Sequence, residues 1–336
     1  MPRYQFNDEM QRYIRIIFVI LLLGLTWFSQ HGWAQTSPYP NKPIRMIIPF
    51  AAGGPTDVIA RALIDKLSGP FGQPLVLDNK GGAGAVLGID MVAKAPADGY
   101  TWLVTTGSMT SISAFNENVP FDPIKDFVPV TMVARNFGQI LVVHPSMKAN
   151  TVGELISLAK ANPGKLNYAS AGIGNITYIA AEQMKAVTGV QINDIQYKGT
   201  APAISDLLGN HVDMCFAPGS IVLPLIQAGK LKALAITGPN RWKALPNLPT
   251  MQEAGLKSID LTGWFGVYLP AKTSPEIVNR IYTEIQKAFT DPDIIKRLDD
   301  TGFEVIVSRP DIFAKFSEDD VQNMKDLARK IGLSKK

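Results

Sequence analysis

Apolar residues recur along this chain in short runs, each followed by a glycine-bearing stretch and then by a segment with helical spacing. Ile44 to Pro49 reads as a strand and runs into Phe50-Ala51-Ala52-Gly53-Gly54-Pro55. Pro55 suits the first position of a helix, and Asp57 its first turn, where an acid meets the positive helix end. Leu75–Leu77 is the next strand, Asn79–Gly84 a loop, and a helix runs on through Ala93. Tyr100 to Thr105 is a third strand, ending in Thr106-Gly107-Ser108. Strand–loop–helix units of this size predict an α/β fold with an open parallel sheet.

The pattern then starts again. Val130–Ala134 and Ile140–Val143 are apolar runs around Asn136-Phe137-Gly138. Thr151 and Glu154 form a capping box for a helix that Asn162-Pro163-Gly164 stops. Leu166–Ala169 is a strand, Ser170–Gly174 a loop, and Tyr178–Val187 a helix closed by Gly189. Ile192–Tyr197 is a strand leading through Lys198-Gly199-Thr200 to a helix over Ala201–Leu208; Val212–Phe216, Leu231–Ile236 and Trp264–Leu269 are further strands. Three helices, Pro275–Phe289, Asp293–Asp300 and Pro310–Ile331, close the chain. Two α/β lobes follow: residues 35–140 with 265–336, and residues 141–264. Loops at strand carboxyl ends would face a shared cleft, where open α/β sheets bind ligands.

The first 34 residues read differently. Arg12 and Arg15 precede an apolar run from Ile16 to Phe28 that is too short to span a bilayer, which takes about 20 residues. Gly32 and Ala34 put small residues at a signal-peptidase site, so cleavage after Ala34 and export to a periplasm are expected. An uncleaved membrane anchor is the alternative. Asp8 and Glu9 are odd in a basic leader; a start at Met10 instead of Met1 would remove them.

Composition narrows the function. Lys and Arg total 33 against 29 Asp and Glu, a net +4 with no basic block, which gives nucleic acid no footprint. One Cys excludes an intramolecular disulfide or a CxxC site, and three His make a multi-histidine metal centre unexpected. There is no G-x-S-x-G, no H-E-x-x-H and no P-loop. Gly82, Gly84 and Gly88 depart from the dinucleotide spacing, so no cofactor is expected. His144 and His211 read as structural and Cys215 as a buried small hydrophobe; Trp264 and Phe265 suit either a cleft wall or a core. What stands out is three glycine loops, Phe50–Pro55, Asn79–Gly84 and Ser170–Gly174, each after a strand and before a helix. Glycine lets backbone N–H groups turn toward a ligand and the helix end adds positive partial charge, an anion site that needs no arginine.

The chain resembles the Bug-type receptors, periplasmic solute-binding proteins of tripartite tricarboxylate transporters. The resemblance is carried by Tyr39-Pro-Asn-Lys-Pro-Ile44, Pro49-Phe-Ala-Ala-Gly-Gly-Pro-Thr-Asp57, Asn79-Lys-Gly-Gly-Ala-Gly84, Ala97-Asp-Gly-Tyr-Thr101 and Phe121-Asp-Pro-Ile-Lys-Asp-Phe127. Pro129-Val130, Tyr168-Ala-Ser-Ala-Gly172, Tyr197-Lys-Gly-Thr-Ala-Pro-Ala203, Leu248-Pro-Thr250 and Glu253-Ala-Gly255 extend it over the mature chain. It implies a type II periplasmic binding protein fold, two lobes joined by two crossover strands. It also implies a small carboxylate ligand, delivery to the transporter's membrane subunits, a monomer, and no metal or catalytic residue. By position the ligand would meet Phe50, Ala51, Gly53, Gly54, Asp57, Gly84, Thr106 and Ser108 in the first lobe. Ser170, Gly172, Asn175, Thr177 and Tyr197 would meet it in the second. Gly81 stands where the family often has proline and Ala85 where it has the last glycine. Asn175 and Ile176 replace two small hydroxyl residues, and Tyr178 stands where a histidine is common, which leaves open an aliphatic dicarboxylate, an amino acid or an aromatic carboxylate. A sensor that acts on a membrane kinase, and an exported enzyme, are the alternatives; no nucleophile–base pair supports the latter.

Overall fold

Eleven strands among the described residues fall into two sheets. The computed structural model describes residues 10, 12, 13, 16–18, 39–116 and 118–333. The expected cleavage site after Ala34 lies outside them. No described helix is long and apolar enough to cross a membrane. Residues from Lys42 onward form one compact unit, which carries everything below.

The first sheet has the order β11-β4-β10-β3-β1-β2. Its strands are β1 (Ile44–Ile48), β2 (Leu75–Asn79), β3 (Thr101–Thr106), β4 (Phe127–Asn136), β10 (Trp264–Pro270) and β11 (Phe303–Val305). The second has the order β7-β6-β8-β5-β9. It is built from β5 (Gln139–Val143), β6 (Asn167–Ser170), β7 (Asn193–Gln196), β8 (Met214–Pro218) and β9 (Lys232–Ile236). The parallel pairing expected from the sequence holds for β1 with β2 and β3 and for β6 with β7 and β8. It fails at the joins: β10 is antiparallel to β3 and β4, and β5 is antiparallel to β8 and β9. The physical reason is the route of the chain. It leaves the first sheet at Asn136 and enters the second at Gln139, then returns between Ile236 and Trp264. A strand that enters from the carboxyl-end side must run against its neighbours.

Ten helices among the described residues cover these sheets. They are α1 (Pro55–Phe71), α2 (Val86–Ala93), α3 (Ser108–Phe115), α4 (Val152–Ala161), α5 (Ile176–Thr188), α6 (Thr200–Leu208), α7 (Gly219–Gln227), α8 (Pro275–Phe289), α9 (Pro292–Asp300) and α10 (Pro310–Lys330). The strand alternation decides what each face buries. Leu141 and Val143 of β5 pack with Leu155, Ala159, Ala180 and Met184 of α4 and α5. Ile140 and Val142, on the other face, pack with Ile204, Leu207 and Val222 of α6 and α7. Thr151 caps α4 as expected, its Oγ1 accepting from Glu154 N at 3.1 Å, while Glu154 Oε2 reaches one residue further back than a capping box requires, accepting from Asn150 N at 2.7 Å. Helices α3 and α7 and strand β11 were not legible in the sequence. For α3 the reason is clear: Ser-Met-Thr-Ser-Ile-Ser-Ala-Phe is a poor intrinsic helix. Tertiary contacts hold it, among them Thr110 Oγ1 donating to Asp320 Oδ2 of α10 at 2.6 Å.

Candidate ligand cleft between the two sheets

The carboxyl ends of β1 and β3 and the ends of the crossover segments border one cleft of about 750 Å³, its open mouth included. Phe50, Gly54 and Thr56 come from the β1–α1 turn, Thr106, Gly107 and Ser111 from the β3–α3 turn, and Trp264 and Phe265 from the start of β10. Gln139 and Pro218 come from the second sheet, Asn175, Ile176, Thr177 and Thr200 from the helix starts that follow its strands, and Asp320 and Met324 from α10. Five helix N-termini meet here. Helix α5 is capped by Asn175, whose Oδ1 accepts from Thr177 N at 3.0 Å. At α3, Thr106 Oγ1 accepts from Ser108 N at 3.2 Å. Helices α1, α6 and α7 start at Gly54, Gly199 and Pro218 with no side-chain cap. Each uncapped end leaves backbone N–H groups to be satisfied and carries roughly half a positive charge. No Lys, Arg or His lines the cleft, and Asp320 is its one charged lining residue among those described.

Across the cleft the two sheets touch through backbone. Ala51 N donates to Lys198 O at 2.9 Å. Asn175 Nδ2 donates to Ser108 Oγ at 3.0 Å, and Ser111 Oγ donates to Gly174 O. Gly84 has φ +64° and a Cβ there would sit 2.6 Å from Ile173 O; a Cβ on Gly172, at φ +104°, would sit 2.6 Å from Gly84 Cα. Only glycine lets these two loops meet.

The walls mix apolar residues with polar ones such as Asn136, Thr200 and Thr262, and three further polar groups bear on what the cleft can bind. Gln139 is 1% exposed and neither atom of its carboxamide has a partner; Thr56 is 1% exposed and its hydroxyl has none. Asp320 Oδ2 accepts from Thr110 Oγ1 at 2.6 Å and from Trp264 Nε1 at 3.0 Å. Burial raises the Asp320 pKa and those two bonds oppose the rise. Trp264 is fixed further by edge-on contacts with Phe313 at 5.4 Å and Phe316 at 5.7 Å. It therefore does both things the sequence allowed, packing in the core and facing the cleft.

The family sequence pattern of the tripartite tricarboxylate transporter family receptor matches residues 59–333. The chain belongs to that receptor family. It is 36% identical over 296 residues to protein BugT of Bordetella pertussis, covering 88% of this chain and 90% of that one. The structure of the periplasmic binding protein BugD is 33% identical with a TM-score of 0.85, over 89% of this chain and all of that one, 100%. A Rhodopseudomonas palustris protein solved with adipate is 32% identical with a TM-score of 0.84, over 88% and 99%. The two-sheet fold is that of the periplasmic binding proteins, and the chain is a Bug-type solute-binding receptor, not an enzyme.

Of the residues the sequence singled out in this receptor, Phe50, Gly54, Thr106, Asn175 and Thr177 line the cleft. The others do not line it, and all but Gly53 have another engagement. Ala51, Gly84 and Gly172 make the contacts between sheets described above, and Ser108 receives Asn175. Gly53 is exposed, at φ +80°. Asp57 accepts from Arg61 Nε at 2.9 Å and from Asn79 Nδ2 at 3.3 Å, which ties α1 to β2. Ser170 Oγ accepts from Gly172 N at 3.2 Å, and Tyr197 Oη donates to Asp206 Oδ2 at 2.6 Å. His144 bonds Ser146 and His211 lies 3.6 Å from Asp206, both outside the cleft lining. Sequence reasoning missed Thr56, Gln139 and Asp320. A signal existed for two of them: Gln139 is the polar residue opening an otherwise apolar strand, and Asp320 follows Phe313 and Ser317 on the buried stripe of α10.

Proposed function

We infer that this receptor captures a small carboxylate in the cleft by closure of two lobes, one around each sheet, and delivers it to the membrane subunits of a tripartite tricarboxylate transporter. The chain acts in the periplasm after removal of its leader at Ala34. The carboxylate is held by backbone N–H groups at the starts of α1 and α6, with Phe50, Thr106, Asn175 and Thr177 around it. The observation that carries this reading is the convergence of uncapped helix N-termini on a cleft that, among the described residues, no Lys, Arg or His lines. The adipate seen with the R. palustris relative supports the ligand class. Mature protein, unfolded and refolded to strip carried-over ligand, is screened by thermal shift against small carboxylates. A ligand at about 100 times its Kd adds about 2.7 kcal/mol of stability. If no carboxylate raises the unfolding midpoint, anion capture in this cleft is wrong.

A further inference from the structure

The β1 loop and the crossover segment mark opposite ends of the cleft. In the first sheet β1, β3 and β10 are successive neighbours, so Trp264 at the start of β10 stands two strand spacings, about 10 Å, from the turn after β1. The turn end carries the uncapped starts of α1 and α6; the crossover end carries Asp320, bonded to Trp264, and Gln139, whose partner in the β5–β8 ladder is Pro218 at the start of α7. Both hydrogen bonds to Asp320 go to Oδ2, so among the described residues Oδ1 is unengaged. Strand alternation puts Gln139 on the same face of β5 as Leu141 and Val143, toward α5, whose first turn also lines the cleft. A side chain this deeply buried normally has partners for both its oxygen and its nitrogen, and here neither does.

We propose that the crossover end of the cleft, formed by Gln139, Asp320 and Trp264, selects a monocarboxylate that carries a hydrogen-bond donor, a hydroxyl or an ammonium, at the end away from its carboxylate. The inference rests on the capture of a carboxylate at the helix N-termini. An ionised aspartate only accepts, so the group it meets must donate; the carboxamide oxygen accepts from a hydroxyl or an ammonium, and its NH2 can donate in turn to a hydroxyl. A second carboxylate would face Asp320 with no lining cation between them, and two carboxylates sharing one desolvated site cannot both stay ionised cheaply.

The test uses refolded full mature chain and four probes of equal carbon count: hexanoate, its terminal hydroxy and amino derivatives, and adipate. Calorimetric titration is expected to give the hydroxy or the amino derivative at least tenfold tighter binding than adipate, and the tighter of the two identifies the donor. Asp320→Asn should shrink that ratio to about threefold or less. Gln139→Met, close in volume, should weaken the preferred derivative about tenfold more than it weakens hexanoate. Circular dichroism and the unfolding midpoint check that both variants fold. Adipate bound as tightly as the derivatives, or a preference that survives Asp320→Asn, overturns the selectivity while leaving carboxylate capture standing. If none of the four binds and the wider carboxylate screen is also silent, the capture reading falls with it. If the screen finds only dicarboxylates, this inference alone falls.

Discussion

Gly84→Ala is the sharpest perturbation of the contact between the sheets. The added methyl would lie 2.6 Å from Ile173 O, and ordinary contact begins near 3.4 Å, so the two loops must separate by most of an ångström. Overpacking of this kind costs about 1–3 kcal/mol. If ligand binding brings the loops together, that cost falls on the bound, closed form alone and weakens affinity by about tenfold to hundredfold. Alanine at φ +64° also carries a backbone strain of about 1–2 kcal/mol, but open and closed forms share it. Gly72→Ala separates the two effects: Gly72 has φ +61° and a Cβ there meets nothing within 4 Å. Calorimetry with the best carboxylate from the screen should show Gly72→Ala less stable with wild-type affinity. Gly84→Ala should be less stable and weaker in binding, and by solution scattering should fail to contract when ligand is added. Wild-type affinity in Gly84→Ala would refute the idea that this backbone contact belongs to the ligand-bound state.

Four further outcomes follow. Asn175→Ala removes both the α5 cap and the bond to Ser108, and loss of a cap costs about 1 kcal/mol; its unfolding midpoint should drop by roughly 2–4 °C, and Ser108→Ala, which keeps the cap, should drop less. Trp264 lines the cleft, so ligand should change the tryptophan emission and Trp264→Phe should abolish that change; a persistent change would move the site elsewhere. Cys215 is fully buried, and burial pushes its thiol up to about 12, so a thiol reagent should label it only in denaturant. Burial opposes ionisation of Asp78, but hydrogen bonds from Lys80 and Arg45 outweigh it and hold its pKa low. A depressed folded pKa adds stability that is complete above the unfolded value of about 3.9 and is lost as pH falls through the folded one. Between pH 5 and pH 3 the urea midpoint should therefore fall less in Asp78→Asn than in wild type.

Local pattern carried the α/β architecture a long way. The Ile44 to Pro49 run, Pro55 at the start of α1, the Thr151–Glu154 cap and Gly189 at the end of α5 each depend on neighbours within a few residues, and each is where the sequence put it. The glycine loops were likewise legible as special backbone, because a positive φ is a property of one residue and its neighbours. What those glycines face was not. Gly84 meets the backbone of Ile173, from the other sheet, while Gly54 and uncapped Thr56 face the cleft. Nor could the sequence show that Asn175 would use its amide on Ser108, or that Gln139 and Asp320, far apart in the chain, would border one cavity. Those facts depend on how two sheets, joined by crossing strands, close on each other. Sequence spacing encodes which face of an element is buried; which distant group stands opposite is decided only when long-range packing brings the sheets together, and that packing chooses the chemistry of the cleft.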